Sequence, residues 1–285
     1  MAVHELPLEA ANLHGYFSRD LAPAVTIDPG DSVRISVPNA GWRVGRDEPF
    51  VARNPELDVG HALAGPIEVR GARAGQTLAV HIDEVVPGPW GVTFVEPSHR
   101  IEWELAGGFG RGAGWKVRLA PFLGVLGMPP AEPGVHSTIP PRQSGGNIDC
   151  KELVAGTTLF LPISVDGARF SAGDGHATQG DGEVSGTAIE APVRALLTLD
   201  VRDDFPLSWP VARTADSWLT FGFDEQLELA ARIAVDGMLD LMEREHRLSR
   251  PDALGLASVV VDLRVTQVVN GSLGVHAVLR DDAFL

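Results

Sequence analysis

Cysteine is nearly absent: Cys150 is the only one in 285 residues. No disulfide can close within the chain, and zinc sites built from several thiolates are excluded. Positive charge is also scarce. Lys and Arg number 23 against 38 Asp and Glu, for a formal net charge of −15. So acidic a surface repels phosphate backbones and anionic lipid, and neither nucleic acid nor membrane is expected as a partner. No apolar run approaches the ~20 residues of a membrane span. The opening MAVHELPLEA has neither the basic start nor the apolar core of a secretory signal, so the expected compartment is cytoplasmic. Several catalytic signatures are missing: no G-x-S-x-G elbow, no P-loop, no H-E-x-x-H helix. GFGRGAG (108–114) is glycine-rich but lacks the strand-to-helix setting of a nucleotide cradle.

Glycine (32) and proline (21) are plentiful, and they punctuate short apolar runs. AVTIDPGDSVRISV (24–37) reads as strand, Pro-Gly turn and alternating strand. PIEVRGARAGQTLAVHIDEVV (66–86) repeats that design, with Ile67, Val69, Leu78, Val80, Ile82 and Val85 facing inward. TTLFLPISV (157–165) and APVRALLTLDVR (191–202) are two further core strands. Such spacing predicts a β-sandwich or barrel. One strong helix is expected at 224–247, with Leu227, Ala230, Ala231, Ala234, Met238, Leu241 and Met242 on one face. Ser249, Pro251 and Asp252 read as the cap of a second helix. LASVVVDLRVTQVV (256–269) then turns into a strand, and Asn270-Gly271 begins a hairpin whose return strand is 273–279. The expectation is a single domain over 1–285, β-rich over 1–220 and α+β over 221–285.

Between the two core strands lies GDGHATQGDGE (173–183), expected as a connection between, or the ends of, neighbouring strands. Asp174 and His176 are two apart, as are Asp181 and Glu183. In extended backbone such pairs share a side, and each could offer two ligands to one ion. The glycines would permit the turns that fold one pair onto the other. Carboxylates with a neutral imidazole suit zinc, manganese or a similar divalent ion, whereas all-oxygen sites suit calcium or magnesium. Asn147 and Asp149, in PPRQSGGNIDCK (140–151), repeat the spacing. His61, in GHALAGP, stands alone. Each has a plain alternative. Gly/Asp-rich stretches are commonly solvated loops, Asn and Asp after Gly commonly form turn hydrogen bonds, and Glu190 could be an ordinary strand-end charge. Cys150 beside Lys151 reads as structural, since neighbours along a strand point to opposite faces.

These stretches together resemble the acetamidase/formamidase family. The resemblance lies in LHGYFSRDLAPAVTIDPGDSV (13–33), HALAGPIEVRGARAGQTLAV (61–80), APFLGVLGMPP (120–130), PPRQSGGNIDCKELVAGTTLFLP (140–162), GARFSAGDGHATQGDGEVSGTAIE (167–190) and DLRVTQVVNG (262–271). Residues 38–60 and 88–118 match least clearly and are expected to shape the pocket. The resemblance implies a jelly-roll-like β-sandwich with an added α+β substructure towards the C-terminus, a homodimer or higher homo-oligomer, and hydrolysis of short amides such as formamide or acetamide to ammonia and carboxylate. It also implies a divalent metal ion, zinc first, with calcium or manganese as alternatives. A metal suits the task, because it polarises a carbonyl and acidifies water. On this reading Asp149, Asp174, His176 and Glu190 hold the ion, and Glu183 moves protons. Asp181 would serve a second ion or orient the first ligands, and Asn147 or His61 would donate to the developing oxyanion. A tight pocket lined by Trp or Phe would suit so small a substrate. Two other readings stay open: hydrolysis of a related amide, carbamate or ureide, and a jelly-roll binding module with a structural calcium.

Overall fold

The computed structural model describes residues 1–95 and 99–284. The protein is mainly β, with 44% of residues in strands and 13% in helices. Two sheets enclose the main core. The larger has nine strands, in the order Val3–Leu6, Ser32–Val37, Val193–Arg202, Thr77–Pro87, Thr158–Pro162, Val211–Arg213, Ser217–Asp224, Leu273–Arg280 and Val261–Gln267. The smaller runs Gly145–Asn147, Phe122–Gly127, Phe170–His176, Leu63–Val69 and Leu13–His14, with Val25–Ile27 also paired to Leu63–Val69. Ser32–Val37 alternates half-buried and buried side chains, as a strand with one face on a core must. All six inward residues expected in 66–86 are buried. Fully burying a Leu or Ile contributes roughly 1.5–3 kcal/mol, and the core holds Ile35, Ile67, Leu78, Ile82, Leu123 and Leu161 among many others.

The Pro-Gly turn after Val25–Ile27 does not close a hairpin. Val25–Ile27 pairs in parallel with Leu63–Val69, while Ser32–Val37 pairs with Val3–Leu6 and Val193–Arg202. The turn therefore carries the chain from one sheet to the other. The expected pairing of the two later core strands is corrected by the same long-range pairing. Thr158–Pro162 and Val193–Arg202 are not neighbours, because Thr77–Pro87 lies between them. Nor is the polar stretch wholly a connection: Gly173–His176 lies within the strand Phe170–His176, near the centre of the smaller sheet.

The C-terminal part continues the larger sheet. Helix α1 (Leu227–His246) lies over Ser217–Asp224 and Leu273–Arg280. Its buried face holds Ala230, Ala234, Met238, Leu241 and Met242, but Leu227 is exposed. The strand ends at Asp224 before the helix begins, so Leu227 falls in the first turn, short of the seat. Gly222 allows the close approach, since a Cβ there would stand 2.0 Å from the Ala230 carbonyl oxygen. Helix α2 (Arg250–Val260) is capped by Ser249, which accepts from the Asp252 N–H, with proline in its first turn. It passes directly into Val261–Gln267, and the hairpin at Asn270-Gly271 returns along Leu273–Arg280.

A four-stranded meander, Trp90–Val95, His99–Ala106, Phe109–Gly112 and Trp115–Arg118, leaves the sandwich. It accounts for GFGRGAG, which forms strand and turn. Trp103 and Leu105 cluster with Ala177, Ile189 and Ala191. That contact therefore involves Ala177 within the polar stretch and Ile189 and Ala191 just beyond it.

Candidate active site

Strand pairing assembles the site. Phe122–Gly127 lies between Gly145–Asn147 and Phe170–His176, with Val125 opposite both Asn147 and Gly173, and Phe122 opposite His176. Asp149 is drawn back over Gly124, because the N–H groups of Ile148 and Asp149 both donate to the Gly124 carbonyl. Glu190 arrives through a double backbone bond with Val92, 2.9 Å each way, beside His176. Glu183 sits in a turn tied by Gly182 N–H to the Thr266 carbonyl. Segments far apart in sequence thus place Asn147, Asp149, Asp174, His176, Glu183 and Glu190 together, all buried.

The backbone is bent to do so. Asp149, Asp174 and Glu183 have φ of 52°, 59° and 43°. Left-handed φ is uncommon outside glycine, and such residues gather where surroundings force them. At Asp174 it also breaks the simple alternation of the strand. Gly124 forms the floor: a Cβ there would lie 2.4 Å from Asp174 Oδ2 and 2.5 Å from Asp149 Oδ1.

His176 Nε2 is the hub. It stands 3.4 Å from Asp174 Oδ1 and from Glu190 Oε1, 3.9 Å from Asp149 Oδ1 and 4.0 Å from Glu183 Oε1. Asn147 Oδ1, Asp149 Oδ1, Asp174 Oδ1 and Glu190 Oε2 are buried with no hydrogen-bond donor among the described residues. Buried polar atoms are nearly always paired, so four orphaned oxygens in one place call for a cation or protons. Two trios have ligand atoms within mutual reach: Asp149, His176 and Glu183, and Asp174, His176 and Glu190. Oxygen and imidazole donors of this kind fit a divalent ion.

The carboxyl groups cannot all ionise unaided. Burial, then the Asp149 charge, pushes Glu183 up to about 9. Burial raises Glu190 to about 8 and Asp149 to about 6, each partly offset by His176. Burial would raise Asp174 too, but the imidazoles of His176 and His61 outweigh it and hold that group below its usual range. Burial disfavours the charged form of His176, yet Glu190 and Asp174 carry it well above an ordinary imidazole.

Two residues complete the hub and were not singled out from sequence. Gln179 Nε2 donates to the Asp149 carbonyl at 2.8 Å, and its Oε1 lies 2.9 Å from His176 Nδ1. A carbonyl can only accept, so the amide nitrogen must face Asp149 and its oxygen must face Nδ1. That oxygen accepts from Nδ1–H, and Nε2 is turned to the carboxyl groups. Asn270 Nδ2 donates to Asp149 Oδ2 at 2.6 Å across 121 positions. Its turn chemistry was legible, but its long-range contact had no local signal.

Two expected residues stand apart from the hub. Asp181 is exposed and lies 2.9 Å from Lys151 Nζ, so it is not with the other carboxyl groups. His61 lines the cavity but bonds elsewhere, with Nδ1 2.9 Å from Thr138 Oγ1. Cys150 is buried, and burial holds its thiol well above the ordinary value, which makes it a poor nucleophile. The cavity over the hub measures about 100 Å³, and Asn39, His61, Phe94 and Asn270 are among its walls. Drug-sized ligands occupy ~300–1,000 Å³, so this one suits a ligand of few atoms.

Comparison with known proteins identifies the family. The model of the Acetamidase/Formamidase family matches residues 4–111 and 128–212. The chain is 26% identical to the acetamidase of Mycolicibacterium smegmatis over 60% of its own length and 61% of that enzyme's. It thus spans about three fifths of the length of the curated relatives it matches. Among solved structures, a predicted acetamidase/formamidase from Thermoanaerobacter tengcongensis superposes with a TM-score of 0.89 at 25% identity, covering 98% of this chain and 96% of that one. An acetamidase from Bacillus halodurans gives 0.88 at 26%, covering 97% of each. By these matches the chain belongs to the acetamidase/formamidase family.

Proposed function

We propose that the chain hydrolyses the C–N bond of a short aliphatic amide, such as formamide or acetamide, at the His176 hub. The observation that carries this reading is four buried carboxyl groups around one imidazole nitrogen, with four orphaned oxygens facing a cavity of about 100 Å³. The family's relatives named acetamidase and formamidase support the substrate class.

Asp149, Asp174, His176 and Glu190 would hold a divalent ion, zinc first and manganese or calcium after it. When bound, that ion supplies Lewis acidity towards the amide carbonyl and towards water. Both ligand trios draw on one Nε2, and Nδ1 is committed to Gln179. A second ion in the hub would therefore have oxygen ligands alone. The protein's own groups do the rest. Glu183, whose carboxyl burial holds in its protonated form up to about pH 9 without a cation, would ionise once a divalent charge replaces that proton, and the carboxylate would then take a proton from the attacking water and return it to the leaving nitrogen. Asn147 offers its side-chain N–H to the carbonyl oxygen as charge develops there, with His61 as a second donor from the cavity wall. Asp181 steadies Lys151 rather than touching substrate. Phe94 and residues 39–41, which line the cavity, would limit the size of the acyl group.

The test is ammonia release from a panel of short amides, carbamates and ureides by wild type, Asp174→Ala and His176→Ala. Both variants are expected to abolish turnover while keeping a cooperative melting transition. Wild-type rates in a folded variant would remove the hub from the reaction. Preference for a carbamate or ureide would keep the hub and change the substrate. No turnover on any of them, with melting that responds to calcium, would make the cluster a structural calcium site.

A further inference from the structure

Directly behind Asp149 stands a second cluster with different chemistry. Cys150 and Glu152 lie in the turn after Gly145–Asn147, and His276 lies on Leu273–Arg280. Cys150 and His276 are fully buried, and the Glu152 side chain is about one-fifth exposed, at 19%. Cys150 Sγ donates to Glu152 Oε2 at 3.2 Å, and His276 Nε2 is 3.6 Å from the same oxygen. The sulfur, oxygen and nitrogen all lie within 4.8 Å of one another.

His276 Nε2 is buried with no hydrogen-bond partner among the described residues. A proton does not resolve this, because 3.6 Å exceeds the ~2.7–3.2 Å of an N–H···O bond. A metal ion does. Zinc bonds of ~2.3 Å to sulfur and ~2.0–2.2 Å to nitrogen and oxygen set tetrahedral neighbours about 3.3–3.6 Å apart. The Sγ–Oε2 and Nε2–Oε2 edges, 3.2 and 3.6 Å, match that within a few tenths of an ångström. The outer partners of such a site are present as well. Thr266 Oγ1 lies 2.8 Å from His276 Nδ1, and Arg264 Nη1 donates to Glu152 Oε1 at 2.6 Å. Each fixes a ligand so that its remaining atom faces the other two.

We propose that Cys150, Glu152 and His276 form a second metal site, a tetrahedral sulfur–oxygen–nitrogen site that takes zinc and is separate from the His176 hub. On binding, the Cys150 thiol proton leaves to solvent, and the thiolate and carboxylate balance the two charges of the ion. A surface cleft of about 460 Å³ is lined by Glu152, Thr157 and Arg264, so the cluster meets solvent on the Glu152 side, where water would supply the fourth ligand. The site clips the turn carrying Asp149 to the strand leading from Asn270. Those two residues meet in the hub at 2.6 Å, so the clip sets the position of one of its carboxyl groups. This holds whether or not the amide reading does.

Cys150 is the only cysteine, so a thiolate-to-cobalt charge-transfer band in the near ultraviolet reports this site alone. The full chain, stripped with chelator, is titrated with cobalt(II). The expected result is one equivalent bound with that band, absent from Cys150→Ser, weakened in His276→Gln and retained in Asp174→Asn. Zinc content is expected to fall by one per chain in Cys150→Ser. Cobalt saturation of wild type without a sulfur band would overturn the proposal, as would equal zinc content in wild type and a folded Cys150→Ser. The wild-type spectrum decides alone if the serine variant does not fold.

Discussion

Gln179 touches no proposed substrate atom, yet it decides what His176 can do. Its amide is oriented by the Asp149 carbonyl and so fixes the imidazole with Nδ1 protonated and Nε2 turned to the carboxyl groups. Removing an outer partner of a ligating histidine typically costs 10–100-fold in metal affinity or activity. Gln179→Leu is therefore expected to weaken zinc binding about 10–100-fold, read by competition with a chromophoric chelator, while the melting profile is kept. Unchanged affinity would mean that the ring is held by its packing against Phe122, whose edge-on centroid is 4.9 Å away. Asp174 illustrates the other side of the residue scale. Its i, i+2 relation to His176 was legible, and the two do converge. But the left-handed φ of 59° at Asp174 shapes that convergence, and no alternation rule contains it.

At the scale of elements, the sequence spoke most clearly where local chemistry decides. Ser249, Pro251 and Asp252 announced α2, and the Ser249 cap is there. Asn270-Gly271 announced the hairpin, and Val261–Gln267 pairs with Leu273–Arg280. Sheet membership was not legible, because the same Pro-Gly signal serves a hairpin or a crossing between sheets. Only long-range pairing separates them, as Val25–Ile27 shows by joining Leu63–Val69. For the same reason Asp181 was grouped with Glu183 on spacing alone. The backbone turns at Gly182, whose φ is 90°, and sends Asp181 to Lys151 while Glu183 goes to the hub. The cap also offers a test away from the hub. Ser249→Ala is expected to lower stability by about 1 kcal/mol, seen as a small drop in Tm with turnover unchanged. No drop would show that the Arg250 ion pairs with Asp236 and Glu243 hold the helix start without the cap.

For the whole molecule, the concentration of buried acid sets how stability varies with pH. Glu183, Glu190 and Asp149 rise on folding from ordinary values of 4.5, 4.5 and 3.8 to about 9, 8 and 6. Between those limits the folded chain holds protons that the unfolded chain has released. Folding stability therefore falls as pH rises from about 4 towards 9. His176, raised above 6.5, acts in the same direction in the upper part of that window. Asp174, which is lowered, acts only below its ordinary value of 3.8. Denaturant titrations in chelator at pH 5, 7 and 9 are expected to show this decline, and zinc is expected to flatten or reverse it by replacing the protons. Stability in chelator that rises over this range would mean that the carboxyl groups ionise without a cation.

The most direct test of the central claim, that this acidic hub works as a metal-dependent amide hydrolase, is ammonia release from formamide and acetamide. It compares the protein as purified, stripped of metal, and stripped then resupplied with zinc, manganese or calcium. The account predicts loss of turnover on stripping and recovery with one of these ions, zinc before the others. Turnover that survives verified metal removal would contradict it and leave the chemistry to the side chains alone.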